Sequence, residues 1–137
     1  IRSGGRVIVD SSAVVAILLR EPGWEALLDR IATAQQPPGI GTPTLVETGI
    51  VLAARLGIPG KTLLARFIQE SGMRQIDFSY EHWAIAVDAY LQYGKGRHPA
   101  ALNFGDCLTY AISRLADEPL LYIGEDFTKT DLALVDL

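Results

Sequence analysis

A short apolar run at residues 6–10, RVIVD, limits the folds open to this chain more than any other segment. Its centre is β-branched, which predicts a strand, and an unbroken apolar strand is typical of a sheet that is buried on both faces. Ser11 or Ser12 can cap a helix directly after it. The run therefore predicts a β-to-α unit, and such units build parallel sheets that are covered by helices.

The remaining sequence continues this alternation of strand and helix. Apolar residues at helical spacing predict helices at 24–34, 42–57, 61–71, 79–93 and 103–116. Short apolar runs predict strands at 74–78, 120–123 and 132–136, and the loop at 35–41 has room for a brief strand. We expect a single α/β domain at 6–137 with a mostly parallel central sheet. Residues 1–5 are interpreted as an extra N-terminal segment or a remnant of cloning.

Composition and charge narrow the class of protein. The longest apolar runs are shorter than the roughly 20 residues of a membrane-spanning helix, and no signal peptide is seen. Cys107 is the only cysteine, which excludes an internal disulfide and a cysteine zinc site. We therefore expect a cytoplasmic protein with no membrane association. The net charge of −4 argues against a nucleic-acid partner, but setting four of the 16 acids aside in a metal site leaves a neutral remainder.

Three acids are each the only charged residue in a long stretch of sequence: Asp10 within 7–19, Glu47 within 31–54 and Asp106 within 98–113. Glu47 shares a predicted helix face with Ile50, Val51 and Ala54, where an unpaired charge is costly, so we expect it to have a partner. Asp106 lies near a predicted helix start, where the helix dipole favours an ionised acid. Asp126 follows a predicted strand but stands beside Glu125, so its isolation is weaker.

Each acid also has a purely structural interpretation. Asp10 and Asp106 fit helix caps, Glu47 fits an ion pair with an arginine, and Asp126 fits a solvated turn. Taken together, however, the acids form an all-oxygen ligand set without a histidine or cysteine cluster. Such a set favours a hard cation such as Mg²⁺ or Mn²⁺, and these ions promote the hydrolysis of phosphodiester bonds.

An ordered set of motifs extends over nearly the whole chain: VIVDSSA at 7–13, Glu47, GKGRH at 94–98, LNFGDC at 102–107, GEDF at 124–127 and Thr130-Asp131. Together they resemble the PIN-domain ribonuclease toxins of the VapC family. The resemblance implies an α/β/α sandwich and a Mg²⁺- or Mn²⁺-dependent endoribonuclease toxin that cleaves an RNA such as tRNA. It also implies a homodimer and neutralisation by a cognate VapB-type antitoxin.

The resemblance also implies roles for individual residues. The catalytic and metal-binding acids would be Asp10, Glu47, Asp106 and Asp126. Ser12 matches the family's small hydroxyl residue beside the first acid and would bind substrate. Asp131 is an alternative to Asp126, although a cap is the simpler interpretation. Independently of the resemblance, Arg97 belongs to a basic loop at 95–98 that is a candidate for phosphate binding, with a solvated loop as the alternative.

Three other functions compete with this interpretation. A metal-free ribonuclease could use His82 and His98 as base and acid, but it would leave the acids unexplained. A phosphotransfer domain is disfavoured because Asp10 has no second acid two residues further on. A PIN-like scaffold that binds RNA or protein without cleavage is the third alternative, and the intact set of acids argues against it.

Overall fold

A four-stranded parallel sheet forms the centre of the protein in the computed structural model, which describes residues 5–137. The segment predicted as extra lies outside the described residues, apart from Gly5. The strands are β1 (Ile8–Val9), β2 (Gly39–Gly41), β3 (Arg74–Ile76) and β4 (Leu120–Leu121). Their order in the sheet is β3-β2-β1-β4, and every pair is parallel.

Six helices within residues 5–137 cover the sheet: α1 (Ser11–Leu19), α2 (Trp24–Ala32), α3 (Thr42–Leu56), α4 (Ile58–Ser71), α5 (Tyr80–Tyr93) and α6 (Phe104–Ala116). Residues of α1 to α4 pack in one core cluster with Val7 and Val9, and residues of α5 and α6 pack in a second cluster with Ile8. Successive strand residues point to opposite faces, so the two clusters lie on opposite sides of the sheet. The predicted α/β fold with helices on both faces is confirmed.

Two predicted elements differ from the structure by more than two residues at one end. The helix predicted at 61–71 begins earlier, at Ile58, because Pro59 in its first turn fits a helix start. The segment 132–136 forms only an isolated bridge between Leu120 and Leu134, so its prediction as a strand is wrong. The bridge consists of two hydrogen bonds of 2.9 Å, from the Leu120 N–H to the Ala133 carbonyl and from the Val135 N–H to the Leu120 carbonyl. Within the described helices, none combines the length and apolar character that crossing a membrane requires.

The sheet places the predicted acids along one edge. The carboxyl ends of parallel strands lie at the same edge, and this edge is where open α/β sheets build their sites. Asp10 follows β1 directly, and α3 begins directly after β2 and brings in Glu47 one turn later. The segment after β4 leads along the same edge to Asp126.

Candidate active site

Asp10 lies at the junction of β1 and α1 and is almost fully buried, with 6% of its surface exposed. Its side chain caps α1, because Oδ2 accepts hydrogen bonds from the Ser12 backbone N–H at 3.1 Å and from the Ser12 hydroxyl at 2.6 Å. The prediction that Ser11 or Ser12 is the cap is wrong, since Asp10 is the last extended residue before the helix. Burial raises the pKa of Asp10, and the hydrogen bonds from Ser12 oppose that shift.

Ser12 connects two segments that are far apart in sequence. Its hydroxyl donates to Asp10 and accepts a hydrogen bond from the Ile123 backbone N–H at 3.0 Å. The segment after β4, which carries Asp126, is thereby held against the first acid. Both hydrogen bonds of the hydroxyl are made to other groups of the protein. A direct contact of Ser12 with substrate stays a prediction.

Glu47 lies half-buried on α3, and its carboxylate packs against the first turn of α6. A Cβ atom built on Gly105 would lie only 2.6 Å from Glu47 Oε2, so a glycine at 105 leaves the space that this carboxylate fills. Burial raises the pKa of Glu47, and the charge of Asp10 raises it further. The carboxylates of Glu47 and Asp10, both in the predicted set, are thus close enough to repel each other.

The expectation that Glu47 has a partner assumed that the apolar face of its helix is buried, and this assumption was wrong. Ile50 is 64% exposed and Ala54 is also exposed, so the apolar stripe of α3 lies at the surface and not in the core. The ion-pair alternative is not observed either, because no arginine or lysine of residues 5–137 forms a salt bridge with Glu47. The charged groups that act on or are affected by Glu47 are the acids Asp10 and Asp106.

Asp106 occupies the third position of α6 and forms a reciprocal cap with Asn103. Its Oδ2 accepts from the Asn103 backbone N–H at 3.1 Å, and Asn103 Oδ1 accepts from the Asp106 backbone N–H at 2.8 Å. Burial raises the pKa of Asp106 to about 7, and the charges of Asp126, Asp10 and Glu47 add to the shift. Asp106 is therefore a helix cap and, at the same time, a member of the acidic cluster.

Asp126 and Asp131 belong to the same segment but have different surroundings. Asp126 is exposed in a turn, as its structural alternative supposed, and its charge reaches Asp106. Asp131 accepts a hydrogen bond from the Tyr110 hydroxyl at 2.7 Å through Oδ1 and forms an ion pair with Arg114 at 3.0 Å through Oδ2. Both oxygens of Asp131 are engaged on α6, which favours Asp126 as the fourth member of the cluster.

Two buried threonines next to the acids were not predicted as site residues from the sequence. Thr44 and Thr109 are joined by a hydrogen bond of 3.0 Å between their hydroxyls, which links α3 to α6, and the Thr109 hydroxyl also lowers the pKa of Asp10. Thr44 precedes Glu47 by three residues and Thr109 follows Asp106 by three. Residues three apart share a helix face, and this spacing was the signal that could have identified them.

The basic and histidine candidates have contacts of their own. Arg97 donates through Nε to the Leu91 carbonyl at 3.3 Å, and the contacts described for it include none with the acids. His82 is buried, and its Nδ1 accepts from the Ser79 backbone N–H at 2.9 Å. His98 Nδ1 accepts from the Ala100 backbone N–H. Both histidines stabilise local turns, and no hydrogen bond between them is found in the part of the chain that the structure describes.

The cluster has the chemistry of a cation site but does not enclose an ion by itself. No group of three or more histidine, cysteine, aspartate or glutamate side chains in residues 5–137 is arranged to hold a metal ion. Mg²⁺ usually takes only one or two carboxylates and completes its shell with water and substrate phosphate, so the donor set fits that mode of binding. A divalent cation would also relieve the mutual repulsion of the acids.

A family model described as the PIN domain matches residues 7–132, most of the chain. The chain belongs to the PIN domain family. This PIN domain is 45% identical over 126 residues to Ribonuclease VapC36 of Mycobacterium tuberculosis, covering 92% of this chain and 91% of the relative. It is 38% identical over 129 residues to Ribonuclease VapC of Mycolicibacterium smegmatis, covering 94% and 99% of the two chains. The VapC resemblance is confirmed.

Solved structures share the fold of this PIN domain. The crystal structure of Mycobacterium tuberculosis VapC20, described as a toxin that cleaves the Sarcin-Ricin loop, superposes with a TM-score of 0.75 at 18% identity and covers 94% of this chain and 98% of that one. The VapBC2 structure from Rickettsia felis, bound to a promoter DNA fragment, superposes with a TM-score of 0.74 at 12% identity. The match covers 96% of this chain and 97% of that one. At these identities the likeness concerns the fold alone.

Proposed function

We propose that this PIN domain is a Mg²⁺- or Mn²⁺-dependent endoribonuclease toxin that hydrolyses phosphodiester bonds in RNA in the cytoplasm. The observation that carries the proposal is the gathering of Asp10, Glu47, Asp106 and Asp126 at one sheet edge without a paired cation among the described residues. Membership in a family whose similar relatives are named ribonucleases supports it.

We assign the roles of the four acids by the hydrogen bonds that fix their carboxylates. Asp10 and Asp106 would hold the cation, since both carboxylates are fixed by hydrogen bonds at helix starts. Glu47 and the exposed Asp126 would orient water and the substrate phosphate around it. When bound, the cation supplies a Lewis acid that activates water and offsets negative charge on the phosphate. Hydrogen bonds from Ser12 and Thr109 hold the Asp10 carboxylate in place and oppose the rise of its pKa that burial causes.

The proposal includes two protein partners, a second copy of this chain and a VapB-type antitoxin. An apolar groove of about 900 Å³ lies between α3 and α4, with Leu45, Ile50, Leu64 and Ile68 among its lining residues. A groove of this kind accepts the apolar face of a partner helix. The fold neighbours include a structure described as a toxin-antitoxin complex from Klebsiella pneumoniae, with a TM-score of 0.70 at 14% identity.

A cleavage assay tests the activity. The purified chain is incubated with total RNA, and separately with tRNA, in Mg²⁺ or Mn²⁺ and in EDTA. We expect metal-dependent cleavage that Asp106→Asn abolishes. Asp88→Asn is the matched control, because Asp88 is an exposed acid on α5 that loses the same charge. The proposal fails if EDTA has no effect or if Asp106→Asn cleaves as fast as the wild type. RNA binding without any cleavage would establish the non-catalytic scaffold instead.

A further inference from the structure

Phe104 presents an aromatic ring to solvent at the start of α6. It is 81% exposed, although it stands between the capping residue Asn103 and the glycine that Glu47 packs against. The reciprocal cap of Asn103 and Asp106 fixes its backbone. The ring forms no aromatic pair among the described residues. It is therefore held in position without a packing role in the core.

Phe104 borders a cleft that also contains one of the acids of the site, Glu47. The cleft has a volume of about 530 Å³ and is lined by Phe104 together with Glu47, Gly105 and Ile50, among others. An apolar surface thus continues directly from the acidic cluster to Phe104. A group bound against this surface would lie beside any phosphate held at Glu47 and Asp106.

Phe104 also borders a second cleft, whose lining includes the basic residue Lys95. This cleft has a volume of about 790 Å³ and includes Phe104, Trp83, Tyr90 and Lys95 in its lining. The Arg97 guanidinium lies 5.7 Å from the centre of the Tyr90 ring, and Tyr90 lines this cleft. Phe104 thus lies between the acids, which need a cation to accept a phosphate, and basic groups that attract phosphates directly.

We propose that Phe104 stacks on an unpaired nucleobase of the RNA, next to the phosphodiester bond that is cleaved. This rests on the proposed function. Every phosphodiester is covalently attached to a nucleoside on each side, so a phosphate held at Glu47 and Asp106 brings a base onto the adjoining surface, and that surface carries the Phe104 ring. Single-stranded RNA is recognised by stacking of splayed bases on aromatic rings. Lys95 and Arg97 then meet the next phosphates along the strand.

Variants at this position separate stacking from simple apolar contact. Binding of a short labelled single-stranded RNA is measured by fluorescence anisotropy with Ca²⁺ in place of Mg²⁺, and KM and kcat are measured in Mg²⁺. We expect Phe104→Ala and Phe104→Leu to weaken binding and raise KM by about tenfold with little change in kcat. Phe104→Trp keeps the wild-type values. Tyr80→Leu is the matched control, because Tyr80 is 82% exposed and is the first residue of α5.

Several outcomes would overturn the stacking role. These are a Leu variant that binds as tightly as the Trp variant, an Ala variant with unchanged binding, or a wild type that binds no RNA. A change of sedimentation with Phe104→Ala would make the ring a subunit contact, and loss of antitoxin binding alone would make it a protein contact. If the wild type binds RNA but does not cleave it, the proposed activity fails, and the anisotropy series still decides the role of Phe104.

Discussion

The substitution Gly105→Ala displaces one carboxylate of the site while it leaves the fold intact. A Cβ at this position would lie 2.6 Å from Glu47 Oε2 and 3.0 Å from Oε1, whereas ordinary contacts begin at 3.4 Å. The nearer oxygen must therefore withdraw by about 0.8 Å, the difference between these distances. It can do so because it ends a flexible side chain, and Gly105 is helical with no positive φ.

We expect Gly105→Ala to lower the activity of the protein without lowering its stability. Alanine favours a helix over glycine by up to ~1 kcal/mol, which offsets the small strain of moving the Glu47 side chain. A misplacement of about 1 Å in a catalytic group costs about 100-fold in rate. We therefore expect kcat/KM for RNA to fall about 10- to 100-fold with the midpoint of thermal unfolding unchanged or slightly raised.

Kinetics and thermal unfolding are measured on the same preparations. Gly49→Ala is the control, because a Cβ at this helical glycine of α3 would meet only Leu64 Cδ2 at 3.6 Å, an ordinary contact. It should stay active. Combining Gly105→Ala with Glu47→Asp shortens the displaced side chain, so the double variant should lose less activity than the product of the two single losses. Full activity of Gly105→Ala, or a loss that follows unfolding, would refute the role of Gly105.

Three further predictions concern the acids and the threonines beneath them. Asp126→Asn should lower the cleavage rate at least about tenfold and Asp131→Asn by less than about threefold, since Asp131 is engaged on α6; equal losses would restore Asp131 as a ligand. In EDTA, the unfolding temperature should fall as the pH rises from 5 to 8. The raised pKa of Asp106, about 7, means that the folded state holds its proton more tightly than the unfolded state, so this stabilisation is full below about pH 4 and is lost by pH 7 to 8. Calorimetry should show a shallower pH dependence for Asp106→Asn, and an identical slope would contradict the assignment. Thr109→Val should cost about 1–3 kcal/mol in chemical denaturation because it leaves the Thr44 hydroxyl unpaired. Thr44→Val with Thr109→Val should cost less than the sum of the single variants, and strict additivity would rule out the pair.

Local signals in the sequence were sufficient to predict the architecture. The β-branched run at residues 6–10 and the 3.6-residue periodicity of later segments depend on neighbouring residues only, and they predicted the parallel sheet covered by helices on both faces. The isolation of Asp10, Glu47 and Asp106 was also readable without a structure. Parallel strands bring their carboxyl ends to one edge, and this rule predicts that Asp10 and Asp126, which each follow a predicted strand, lie at that edge.

The side of a helix that faces the core was decided only by tertiary packing. The stripe of α3 that contains Ile50 is as apolar as a core face, yet it lies at the surface. The hydrogen bond between Thr44 and Thr109 spans 65 residues, and the contact of Glu47 with Gly105 spans a comparable stretch of chain. Periodicity carries no information about such pairs, because it describes one element at a time. The sequence by itself determined the elements and the acids, and the packing of α3 against α6 determined which atoms surround them.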